Sequence, residues 1–125
     1  MLIGRHNIGD VTITNHVGEK RSEAKQLKGI LLRDMLSTIE INSKSPKQLS
    51  EYYFVCKAND GYKVVFSWNE IFNTVLGDSI FLITEKEGKP AVDLPESVLL
   101  LSPRDLRTGR RHVKALQTIE VKHAR

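Results

Sequence analysis

Apolar and polar positions change period several times along this chain, and each change marks an element. In DVTIT (Asp10–Thr14), Val11 and Ile13 alternate with polar neighbours, the two-residue period of a half-buried strand. The next residues, NHVGEKRSEAKQLKG (15–29), are polar and basic with no sustained period, and predict a loop. From Ile30 to Ile39, the residues Leu31, Leu32, Met35, Leu36 and Ile39 recur at three- and four-residue steps, which predicts a short helix. NSKSPKQLSE then supplies a polar linker, and YYFVCKA (Tyr52–Ala58) predicts a strand rich in aromatic and β-branched residues.

Asp60-Gly61 fits the left-handed positions of a tight hairpin turn, which would set Cys56 opposite Val65 and Val55 opposite Phe66. Phe54, Cys56 and Ala58 then share one strand face. Cys56 is the chain's single cysteine, and no His, Lys or Arg lies beside it on that face to stabilise a thiolate. A buried structural thiol is expected. Ser67 to Glu70 (SWNE) fits a capping box, followed by an apolar stripe of Ile71, Phe72, Val75 and Leu76 with Gly77 as the helix stop. Ile80–Thr84 predicts a strand, Glu87-Gly88 a turn and return, and SVLLLS a strand apolar enough to be covered on both faces. Ser102-Pro103 with Asp105 predicts one helical turn before Gly109, and ALQTIEVK a closing strand. The order predicts an α+β fold: a mixed, mostly antiparallel β-sheet with two short helices, as one domain over residues 1–125.

Composition narrows the chemistry. No apolar run is long enough to cross a bilayer, so solubility is expected; the first residues show no signal-peptide pattern, which leaves cytoplasmic and exported locations both open. One cysteine excludes an internal disulfide and a Cys-rich zinc site. There is no phosphate-binding glycine pattern, nucleophile elbow or His-Glu-x-x-His pair, and His6, His16, His112 and His123 lack close metal-ligand spacing. The net charge of +4 is concentrated where PRDLRTGRRHVK gathers Arg104, Arg107, Arg110, Arg111, His112 and Lys114. That cluster is either a local anion site or a solvated basic surface.

Four ordered segments resemble the molybdopterin-binding domain of the sulfite oxidase family. They are LKGILLRDML (27–36), DGYKVVFSWNEI (60–71), ITEKEGKPA (83–91) and LLLSPRDLRTGRRHVKALQTIEV (99–121). The resemblance implies that family's α+β fold. It also implies a cofactor-binding site at Asn15, His16, Arg110, Arg111 and Lys114, beside Gly109, for molybdopterin or another phosphate-bearing small molecule. In the family, the thiolate that ligates molybdenum ends the strand corresponding to VTITNHVG. This chain has Asn15 and His16 there, and Cys56 lies in a different strand. Few residues precede Asp10 to close over a pterin. The expectation is therefore no catalytic residue, no metal ligand and no molybdenum turnover by this chain alone.

Two other function classes remain. One is a non-catalytic module in which a sheet edge or the polar Asn15–Lys28 segment meets a protein or small ligand without any cofactor. The other, nucleic-acid binding by the basic segment, ranks last, because Tyr53, Phe54, Phe66 and Trp68 read as core rather than as exposed stacking platforms.

Overall fold

The computed structural model describes residues 3–124. Among the described residues, eight strands and two short α-helices follow in the order β1 (Arg5–Thr14), β2 (Lys20–Leu31), α1 (Leu32–Leu36), β3 (Tyr52–Ala58), β4 (Lys63–Ser67), α2 (Trp68–Phe72), β5 (Phe81–Lys86), β6 (Lys89–Pro90), β7 (Leu99–Leu101) and β8 (Leu116–His123). The fold is α+β. Its strands form two antiparallel sheets rather than one: β1-β2-β5, with β6 and β7 both on the far side of β5, and β4-β3-β8. Paired backbone hydrogen bonds between Leu100 and Val113, both 2.9 Å, connect β7 to the chain leading into β8. No helix among the described residues is long and apolar enough to cross a membrane.

Two apolar clusters share a wall: one is built from residues of the first sheet alone, and the other draws on both sheets. Leu99, Leu101 and Ile83 face one cluster with Val11, Ile13, Ala24 and Leu27 of the β1–β2 hairpin. Leu100 and Leu82 face the other, with Phe54, Cys56, Phe66 and Ile71. Residues on β5 and β7 thus point into apolar surroundings on both faces, as the uninterrupted run SVLLLS implies. Cys56 is fully buried in the second cluster. Burial pushes its thiol up to about 12, so it stays protonated and inert near neutral pH.

The segment 15–29, expected as a loop, is mostly strand β2. Its buried residues Ala24, Leu27, Gly29 and Leu31 do alternate, except where Gln26 adopts a left-handed φ of 50° and inserts an extra residue. That bulge breaks the two-residue period, and the remaining side chains face water, so no apolar pattern survives to be seen. The helix expected over Ile30–Ile39 is confined to Leu32–Leu36, because Ile30 and Leu31 continue β2 by pairing with Leu82 and Phe81. The Ser37 and Thr38 hydroxyls then bond back to the Asp34 and Met35 carbonyls. Both compete with the helical ladder at its end.

The β3–β4 hairpin is shifted one residue from the expected register: Cys56 pairs with Val64 and Val55 with Val65. Only Gly61 takes a left-handed conformation, and Ala58 N donates to Tyr62 O, so the loop has three residues, not two. The expected capping box is present, with Glu70 N donating to Ser67 Oγ (3.0 Å) and Ser67 N to Glu70 Oε1 (2.8 Å). Helix α2 ends at Phe72; Val75 is 76% exposed, and Gly77 lies inside a following 3₁₀ turn, Val75–Ser79, rather than past a helix end. Ser102 to Asp105 forms a turn, not a helix, and the single-turn 3₁₀ helix is Thr108–Arg111. Tyr53 lies on the sheet face opposite Phe54 and is half-buried, not core.

Candidate functional site

The β1–β2 hairpin and the Thr108–Lys114 segment, almost a hundred residues apart in sequence, meet along the end of β1. Gly109 allows this approach, since a Cβ there would stand 1.8 Å from the Thr14 carbonyl oxygen. Asn15 shapes the adjoining turn: its Oδ1 accepts from Val17 N (3.0 Å) and Glu19 N (2.9 Å), closing the hairpin as an Asx turn. Arg110 ties the two segments together. Its Nε and Nη2 donate to the His16 carbonyl at 3.3 and 3.1 Å, while its own carbonyl accepts from the Tyr62 hydroxyl.

Between these segments lies a cleft of about 480 Å³. Asn15 and His16 line one wall with Arg21, and Arg110, His112 and Lys114 line the other, with Tyr62 between. A smaller depression of about 250 Å³ continues from it past His112 and Lys114 to Asp60. Arg21 and Arg110 make no ion pair among the described residues, and the Lys114–Glu96 contact (3.4 Å) is between side chains that are both well exposed, so it neutralises little. His112 is held neutral: burial first, then the nearby Lys114 charge, lower its pKa from the ordinary 6.5, and its Nε2 is buried with no hydrogen-bond partner among the described residues. The arrangement suits an anion carrying several oxygen acceptors, because guanidinium and ammonium donors converge on one concave surface.

Four of the five residues marked in the sequence therefore meet in this cleft: Asn15, His16, Arg110 and Lys114. Arg111 does not. Its Nε and Nη2 form a two-pronged contact with Asp105 (2.8 Å each), its Nη1 reaches Glu70 Oε2 (2.9 Å), and its guanidinium lies 4.4 Å over the Phe66 ring. Those partners, led by the Asp105 hydrogen bond, raise its pKa further. Arg111 is a buttress of the fold.

Arg21, Tyr62 and His112 line the cleft but were not among the marked residues. The signal for His112 was present. The backbone at His112 is extended, so Arg110, His112 and Lys114 share one side while Arg111 and Val113 turn inward. Arg21 could not be placed while its segment was read as a loop. Among the described residues, no group of three or more His, Cys, Asp or Glu side chains converges as a metal-ligand set. Compared with protein-family models, curated proteins and solved structures, the chain matches none of them.

Proposed function

We propose that this protein is an anion-binding relative of the sulfite oxidase molybdopterin-binding domain, whose basic cleft holds the phosphate end of a pterin or of another small phosphate-bearing molecule. The observation that carries the reading is the meeting of Arg21, Arg110 and Lys114 around one cleft, with His16 and Asn15 on its wall. The four-segment resemblance adds the chemical class of the ligand.

The residues present fit one end of the cofactor and not the other. Arg and Lys donors at a glycine-containing turn suit a phosphate. The molybdenum end calls for a thiolate, and the strand end that would supply it carries Asn15 and His16, while Cys56 is enclosed in the apolar cluster with its thiol held protonated. No redox step is assigned to this chain, and its role is to bind and orient.

Titration calorimetry with inorganic phosphate, pyrophosphate and a phosphorylated pterin tests this. Binding is expected to weaken steeply with added salt, and Arg21→Ala or Lys114→Ala should each lower affinity about tenfold, the loss of one charge-assisted bond. No binding of any of the three, or binding untouched by both substitutions, would remove the proposal. Protein isolated with stoichiometric molybdenum would overturn its non-redox part.

A further inference from the structure

The β8 border of the β4-β3-β8 sheet has no strand beside it among the described residues. It is also the sheet border with the least protection. Strand β1 is broken by register shifts around Gly9 and abutted by the Thr108–Arg111 turn, and β4 is only five residues long. Strand β8 runs eight residues, LQTIEVKH, without Pro or Gly. Natural sheets usually blunt such an edge or pair it. Its far end is held in place: His123 Nε2 sits 2.6 Å from Glu51 Oε1, and its ring stacks on Tyr52 with centroids 4.7 Å apart.

Backbone parity fixes what the edge offers. Ala124 N donates to Glu51 O, continuing the β3–β8 ladder, so in an antiparallel pair the alternate residues Lys122 and Glu120 direct their N–H and C=O groups to β3. Those of Ile119, Val121 and His123 then point outward. Val121 is 37% exposed on the side facing the core, beyond Phe54, while Glu120 and Lys122 stand on the opposite face 3.1 Å apart.

We propose that β8 pairs antiparallel with β8 of a second copy of this chain, about a two-fold axis through Val121, joining two three-stranded sheets edge to edge. In that register Val121 meets Val121 of the second copy, Ile119 meets His123, and Glu120 and Lys122 form crossed ion pairs. The neighbouring registers allowed by the same parity lack this match. An axis through Glu120 sets Glu120 against Glu120 of the second copy, and one through Lys122 sets Lys122 against Lys122, so each opposes like charges. The interface is self-complementary, as a two-fold contact must be. Main-chain hydrogen bonds and covered Val121 and Ile119 hold it together, as in strand addition generally, while the charges select the register.

Sedimentation equilibrium of the full chain over a concentration series tests the pairing. A species of twice the chain mass is expected. Val121→Pro removes a donor that faces outward and leaves the β3 ladder intact, so it should give a monomer with unchanged circular dichroism. Should that variant not fold, charge reversal decides: Glu120→Lys or Lys122→Glu alone places like charges opposite each other and should weaken dimerisation about tenfold, and the two together should restore it. A monomer at every concentration, a dimer that survives Val121→Pro, or a double reversal no better than either single one would each overturn the proposal.

Discussion

The Thr108 hydroxyl donates to the Thr12 carbonyl at 2.7 Å and accepts from Thr14 N at 3.0 Å, so one side chain takes the place of a neighbouring strand at the end of β1. Thr108 is 6% exposed, and the two backbone groups it serves would otherwise lack a partner there. Thr108→Val keeps the shape and removes both bonds. The expected loss is about 2 kcal/mol of stability, measured by denaturant unfolding, with a further drop in phosphate affinity because the cleft wall formed by Arg110 is no longer pinned to β1.

Arg111 joins the cap of α2 to the turn before the cleft through Glu70 and Asp105. Arg111→Ala is expected to cost about 2–3 kcal/mol, since it strands a partly buried carboxylate at Asp105 as well as removing charge-assisted bonds. Arg111→Lys should recover little, because an ammonium cannot reproduce the two-pronged geometry. In double-mutant cycles the coupling to Asp105 should exceed that to Glu70, and Glu70→Gln should retain the cap while losing the ion pair.

Burial raises the Cys56 thiol from 9.0 to about 12. The unfolded chain therefore releases a proton above pH 9.0 that the folded chain keeps, and this contribution to stability is intact below pH 9.0 and lost progressively between pH 9.0 and about 12. Alkylation by iodoacetamide near ~pH 8 should be negligible in the folded protein and should rise with denaturant in step with unfolding. Rapid labelling under native conditions would contradict the buried placement.

The sign is opposite for His112, a base whose pKa is lowered by burial and by Lys114, with Glu96 pulling the other way and Lys86 adding to the reduction. Below pH 6.5 the unfolded chain binds a proton that the folded imidazole resists, so stability falls as the solution is acidified past that point. The unfolding midpoint of His112→Gln should depend less on pH than that of the native protein between about pH 7 and about pH 5.

How legible each element was follows from how clean its period is. Strand β3 was readable end to end because its exposure alternates without interruption from Phe54 to Ala58. Strand β2 was hidden by the bulge at Gln26 and by outward positions filled with Lys, Arg and Glu. The β3–β4 register slipped because Asp60 does not take the left-handed conformation that a two-residue turn needs; its carboxylate accepts from Tyr62 N instead. Half of the cleft was visible as a basic run. Arg111 looked like part of it, because although Asp105 stands six residues upstream in the same run, nothing local reveals that Glu70, 41 residues away, joins it on the same guanidinium.

The wall that β5 and β7 make between the two apolar clusters has a consequence for how the molecule opens. Neither cluster can dissolve without baring residues of strands that also seal the other, so the two halves should unravel together rather than in sequence. In native-state deuterium labelling, the amides of Leu82 and Leu100 should be the last to exchange, at a rate set by global unfolding, while the β1–β2 tip exchanges through local fraying.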